Sequence, residues 1–221
     1  MLYIIRHGET ELNSKHVLQG RSNHELNAKG IEQAMKAAKW LESEGISFSK
    51  VYSSPLKRAI QTAECITKEA TIQTSECITK GEAIQTSGCA SDGAAIVIDE
   101  RLIEMDYGPY EGMSLLKPKK EVLKFFSDFA NNPAPEGMEQ LSDIVARTGE
   151  FVESIKDECS KENVLISTHA IAMKGILEYL DKEAKGKYWS KNISNCEIYK
   201  VDCIDGIYGL PESIYKIKKF F

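Results

Sequence analysis

Apolar residues along the chain come in short blocks separated by longer amphipathic stretches. Leu2-Tyr3-Ile4-Ile5 is continuous and rich in β-formers, the pattern of a strand buried on both faces, parallel and central in its sheet. Val51-Tyr52-Ser53, Ile96-Val97-Ile98 and Val164-Leu165-Ile166-Ser167 repeat it. Between them Ile31, Ala34, Ala37, Ala38 and Leu41 recur at helical spacing, predicting a helix over 28–45 closed by Gly45. Pro55 stands where a helix can begin, and Lys57 to Ile66 continues it. Further helices are predicted over 119–130, over 139–158 and from Ile171 to about Leu180. Two strand-like runs, Ile198–Val201 and Ile214–Ile217, end the pattern. Alternating strands and helices predict an α/β layered fold.

One stretch breaks the alternation. Ile-Gln-Thr begins at 60, 72 and 84, and cysteine stands at 65, 77 and 89, a period of 12. In one continuous helix each copy would turn by about 120°, scattering the apolar positions over three faces. The repeat is therefore read as a tandem duplication in a tolerant surface segment, at about 69–92 of a single domain spanning 1–221. A lid or docking arm is its functional alternative.

Composition narrows the function classes. Hydrophobic residues make up 42% and charged residues 28% of the 221, an ordinary globular balance. The formal net charge of -5, from 28 basic and 33 acidic side chains, argues against nucleic acid as a partner. No apolar run approaches the roughly 20 residues of a membrane span. The first strand pattern begins at the second residue, so a secretory leader is not expected. The six cysteines lack Cys-x-x-Cys spacing and are read as reduced cytosolic thiols rather than a zinc site. The expected location is cytoplasmic.

The chemistry-bearing residues gather at predicted strand ends, where open α/β sheets bind ligands. Arg6-His7-Gly8 follows the first strand: an arginine suited to a phosphate dianion, a histidine, and a glycine that admits close backbone approach. Ser54-Pro55-Leu56-Lys57-Arg58-Ala59 follows the second, with Arg58 in the first turn of a helix. Thr168-His169-Ala170 repeats the first arrangement. Two histidines and two arginines make a phosphate clamp. A phosphate ester also needs a proton donor for its leaving oxygen. Glu104, Asp106 and Glu111 are all candidates, and spacing does not choose among them.

Together these blocks resemble the histidine phosphatase superfamily. Arg6-His7-Gly8-Glu9-Thr10-x-x-Asn13, the block ending Arg58-Ala59, Leu102-Ile103-Glu104 with Glu111-Gly112, and Thr168-His169-Ala170 occur in the family's order. The resemblance implies a three-layer α/β/α sandwich with a mostly parallel central sheet, as in phosphoglycerate mutases. It makes His7 the phosphorylated histidine, Arg6, Asn13, Arg58 and His169 the phosphate pocket, and Glu104 the proton donor. No metal or other cofactor is implied. The expected chemistry uses neutral His7, oriented through its other nitrogen, with a protonated His169 helping the arginines stabilise the transferring phosphoryl group.

The chain departs from the family at three places. Ala170 replaces a usual glycine, Ser22-Asn23-His24 replaces an aspartate-containing stretch, and the 12-residue repeat replaces a short loop. His24 and His16 are read as surface loop residues. Mutases of the family carry an extra basic segment after the Glu104 motif. Here the stretch is short and leads to Pro135-Glu136-Gly137-Met138-Glu139, which resembles the phosphatase branch, including broad-specificity and α-ribazole phosphatases. The expectation is a metal-independent phosphomonoesterase for a small phosphorylated metabolite. A cofactor-dependent phosphoglycerate mutase and a non-catalytic phospho-ligand binder are the alternatives. A homodimer is one assembly the chain could form; the sequence leaves the oligomeric state open.

Overall fold

In the computed structural model, residues 1–67, 95–129 and 131–217 are described. Most of the 12-residue repeat, with Cys77 and Cys89, therefore lies outside the described residues.

β1 (Leu2–Arg6) leads through a single helical turn, α1 (Glu11–Ser14), to α2 (Ala28–Ser43) and β2 (Lys50–Ser53). α3 (Lys57–Thr67), β3 (Ile96–Ile98), two short 3-10 turns at Glu100–Leu102 and Gly108–Tyr110, and α4 (Lys120–Ser127) follow. The remainder is α5 (Leu141–Ser154), α6 (Lys156–Lys161), β4 (Val164–Thr168), α7 (Ala170–Leu180), β5 (Ile198–Val201), a hairpin of β6 (Cys203–Ile204) and β7 (Ile207–Tyr208), and β8 (Glu212–Tyr215). The main sheet has the order β3-β2-β4-β1-β5-β8. β1, β2, β3 and β4 are mutually parallel, whereas β5 runs antiparallel to β1 and to β8.

The continuous apolar run of β1 is explained by its central place. Tyr3 and Ile5 pack with Ala34, Ala37 and Leu41 of α2 and Ala63 of α3 on one face. Leu2 and Ile4 pack with Phe151 and Val152 of α5 and with Met173, Ile176 and Leu177 of α7 on the other. Successive strand residues point to opposite faces, so a strand covered on both sides must be apolar throughout. Each large side chain so buried contributes roughly 1.5–3 kcal/mol. The result is the expected α/β/α sandwich with a mostly parallel sheet.

Two predicted elements differ, and a third element is new. The helix over 139–158 is two helices broken at Ile155. There Ser154 donates its hydroxyl to Phe151 O and the Ile155 amide closes a tighter bond to Val152 O. The break turns both Ile155 and Cys159 into the core. The last strand is offset to Glu212–Tyr215 because its pairing with β5 shifts register at Ile198/Tyr199. The β6–β7 hairpin was not anticipated. Its Ile204 and Ile207 are exposed, so no alternating burial pattern marks it.

Candidate active site

Sheet register brings the sequence blocks together. Arg6 lies opposite Thr168 in the β1–β4 pair, and Ser53 lies opposite Ser167 in the β2–β4 pair. The next residues, His7, Ser54 and His169, therefore leave the same end of the sheet side by side. The His7 amide donates to Thr168 O (2.9 Å) and the Ser54 amide to Ser167 O (3.0 Å). The two imidazoles are 5.1 Å apart between centroids.

His7 is buried, and its Nδ1 lies 2.6 Å from Gly8 O. A carbonyl only accepts, so Nδ1 carries the proton and Nε2 keeps its lone pair. Burial, and then the Arg58 and Arg6 charges, hold the imidazole pKa well below its ordinary 6.5. Gly8 is required by packing. A Cβ there would meet Gly30 O of α2 at 2.4 Å. The Gly8 amide in turn donates to Thr62 Oγ1 of α3.

Arg58 is not a surface cation but is fully buried. Its Nε donates to His169 Nδ1 (3.2 Å), Nη1 to Ser22 O (2.7 Å) and Nη2 to Gly20 O (2.6 Å). The loop bearing those carbonyls is held by Glu111, which accepts from the Gly20 and Ser22 amides. Burial lowers the Arg58 pKa to about 10, which leaves it charged at neutral pH. Arg6 donates through Nη1 to Ile193 O, while its buried Nε has no partner among the described residues.

His169 requires a correction. A protonated imidazole was expected, but arginine can only donate, so His169 Nδ1 is an acceptor and the proton sits on Nε2. Nε2 then donates to Ser54 Oγ at 2.7 Å. The ring is neutral, and burial together with Arg58 drives its pKa well below 6.5. The positive charge of this corner resides on the two arginines.

Among the three candidate carboxylates, geometry separates the roles. Glu104 is buried at the N-terminus of α7. Its Oε1 accepts from the Met105, Ile171 and Ala172 amides at 3.0, 3.2 and 3.0 Å. Its Oε2 has one long contact, 3.3 Å from Ile171 N. Asp106 instead pairs with exposed Arg21, and Glu111 braces the 20–22 loop. Asn13 caps its own short helix, with Oδ1 accepting from Thr10 N and from Asn195 Nδ2. His16 and His24 are exposed.

Four residues of this cluster were not singled out from sequence. Ser54 orients His169. Asn195 donates to His7 O (2.9 Å) and links it to Asn13. Gln19 is buried, accepts from Thr10 Oγ1, and leaves Nε2 without a partner among the described residues. Tyr107 is buried within electrostatic reach of Glu104, Arg6 and Arg58, and burial pushes its hydroxyl well above the usual pKa. The available signal was weak: a glutamine between Leu18 and Gly20, and an asparagine shortly before the strand that pairs with β1. No group of three or more metal-ligating side chains is present among the described residues.

A parallel sheet with paired histidines, one buried and one half-buried arginine and a helix-held glutamate at its C-terminal end defines an α/β scaffold for handling a phosphoryl group. The family model for the histidine phosphatase superfamily (branch 1) matches residues 2–79 and 82–210. The chain belongs to that superfamily and is an enzyme of its phosphatase type. It is 35% identical over 185 residues to the broad-specificity phosphatase YOR283W of Saccharomyces cerevisiae, covering 82% of this chain and 70% of that protein. It is 27% identical over 190 residues to a 2,3-bisphosphoglycerate-dependent phosphoglycerate mutase of Methylorubrum extorquens, covering 82% and 79%. Its fold is shared with an Entamoeba histolytica phosphoserine phosphatase solved with phosphoserine. That match has a TM-score of 0.72 at 21% identity, over 97% of this chain and 94% of the other. Among the described residues no helix is long and apolar enough to cross a membrane.

Proposed function

We propose that the chain hydrolyses small phosphomonoesters through a phosphohistidine at His7, without a metal. The observation that carries this reading is the His7 tautomer: Nδ1–H is committed to Gly8 O, and Nε2 of a neutral ring is the nucleophile. Arg6 Nε and Gln19 Nε2 are buried donors with no partner among the described residues, and both suit the oxygens of the phosphoryl group. Asn13 and Arg58 complete the pocket.

In the first step His7 Nε2 bonds to phosphorus and the ester P–O bond breaks. Glu104 gives its proton to the departing alkoxide. Oε2 is the oxygen that carries that proton, because Oε1 is already occupied by three amides. In the second step Glu104, now a carboxylate, takes a proton from water. The water oxygen bonds to phosphorus, the P–N bond breaks, and inorganic phosphate leaves. Arg6 and Arg58 stabilise the equatorial oxygens in both steps, with neutral His169 fixing Arg58 through Nδ1. Hydrolysis is favoured over mutase chemistry by the short connection from Gly112 to α4, which offers no extended basic cover. The likeness to a broad-specificity phosphatase points the same way.

The test is phosphate release from a phosphomonoester panel in chelator, with wild type and His7→Ala in parallel. Release that requires His7, with label trapped on the protein in alkali, is expected. Conversion of 3-phosphoglycerate to its 2-isomer with a bisphosphate primer, without net release, would replace the hydrolase with a mutase. Folded protein doing neither would leave a phospho-ligand binder.

A further inference from the structure

Lys174 is a cation that the hydrolytic scheme does not use. It lies on α7 between Met173 and Gly175, in a helix whose other buried side chains are almost all apolar. The residue as a whole is buried, at 8% exposure. It donates to Trp189 O at 2.8 Å and lies 5.3 Å from the centre of the Phe129 ring. Half-buried Arg147 and exposed Lys187 are paired with Glu139 and Asp181. Lys174 has no ion pair among the described residues. An ammonium taken out of water without a counter-charge is costly, and a methionine would fill the same volume without that cost.

Its position is one turn beyond the Ile171 and Ala172 amides that hold Glu104. Glu104 and Arg6 are the charged groups that act on it, the first favouring its charge and the second opposing it. An aromatic wall runs from Tyr107 through Phe126 and Phe129 to Trp189, with consecutive ring centres 5.4–6.3 Å apart. Tyr107, at one end, is within electrostatic reach of both phosphate-facing arginines. Lys174 stands at the other end. The wall therefore joins a tyrosine coupled to the two arginines and Glu104 to a lysine coupled to Glu104 and Arg6, so both its ends belong to the surroundings of the phosphate pocket.

We propose that Lys174 is the specificity-determining residue for the departing alcohol, and that it selects phosphomonoesters whose leaving group bears a carboxylate. A single cation matches a monoanion, whereas a second phosphate dianion would call for more than one, and the two arginines are already committed to the first. The proposal rests on the phosphatase reading above. It adds the class of substrate and the residue that reads it.

The matched pair 3-phosphoglycerate and glycerol 3-phosphate differs by a carboxylate in place of a hydroxymethyl group. With wild type, kcat/KM is expected to favour 3-phosphoglycerate by on the order of 10- to 100-fold, the size of a charged hydrogen bond. Lys174→Met should reduce that preference to near unity through KM, leaving glycerol 3-phosphate and p-nitrophenyl phosphate within about threefold of wild type. Lys174→Gln, neutral but of different shape, should do the same if the methionine variant fails to fold. An unchanged preference in either neutral variant would overturn the assignment. So would an equal loss on all three esters, which would make Lys174 only a support for Glu104. A wild type that cleaves p-nitrophenyl phosphate but shows no preference within the pair would overturn the substrate class alone. No His7-dependent turnover of any ester would instead bring down the phosphatase reading, and this one with it.

Discussion

Gly30→Ala sets two physical effects against each other. Gly30 lies in the first turn of α2 with a helical backbone, and its amide is capped by Asn27 Oδ1 at 2.8 Å. On helix propensity alone, alanine would stabilise by about 1 kcal/mol. But a Cβ at Gly30 would meet Glu9 O at 2.1 Å and Glu9 N at 2.7 Å. Ordinary contact begins at 3.4 Å, so the backbones must part by about 1.3 Å. Neither side yields freely, because Glu9 O accepts from Asn27 N and Glu9 N donates to Gln33 Oε1. Overpacking of this kind costs about 1–3 kcal/mol, so the clash outweighs the propensity gain. Glu9 is two residues from His7, and a displacement near 1 Å at a nucleophile can cost about 100-fold in rate. Urea unfolding should show a net loss of up to about 2 kcal/mol, and kcat on p-nitrophenyl phosphate should fall by about 10- to 100-fold in protein that is still folded. A stabilised variant with kcat within twofold of wild type would refute the idea that this contact positions His7.

Ser54→Ala removes the acceptor for His169 Nε2 and leaves a buried N–H unpaired, at a cost of about 1–3 kcal/mol. Nitrogen NMR should show the Nε2–H tautomer of His169 in both proteins, because Arg58 Nε still donates into Nδ1, with the hydrogen-bonded shift of Nε2–H lost in the variant. Stability should also fall in mild acid. His7 and His169 have folded pKa values well below 6.5, so below that pH the unfolded chain binds more protons than the folded one. Their contribution is complete above about pH 6.5 and is lost as pH falls toward the folded values, with a slope that steepens toward the uptake of two protons on unfolding. Urea titrations between pH 7 and 5 should show this slope, reduced by about half in His7→Ala; equal slopes in the two proteins would contradict it.

The sheet was legible because burial on both faces leaves a strand no polar position, and that constraint is written into Leu2–Ile5 and Val164–Ile166 directly. Amphipathic α2 and α5 were legible for the complementary reason, that one face meets the sheet and the other meets water. Ile155 was not, because the helix break there depends on Ser154 turning its hydroxyl onto a carbonyl rather than on any glycine or proline. The offset of β8 depends on a register shift against β5, which is a property of the pair and not of either strand.

The same distinction runs through the site. His7 and His169 sit directly at strand ends and Arg58 in the first turn of the helix that follows β2, so their convergence follows once β1, β2 and β4 are placed in one parallel sheet. The choice of Glu104 over Asp106 and Glu111 does not follow, since all three lie in one loop and only contact with the α7 amides separates them. The charge on His169 was misread for a related reason. Composition makes a histidine near a phosphate look like a cation, but a guanidinium donating into Nδ1 permits only the neutral ring. Arg58 thereby does two things at once: it supplies the positive charge of the corner and fixes the tautomer of its neighbour. Lysine at this position would retain the charge but not the planar fork that donates in three directions, to His169, Ser22 O and Gly20 O. The arginine is therefore required by geometry as well as by charge, and the loop carbonyls that receive it are themselves held in place by Glu111.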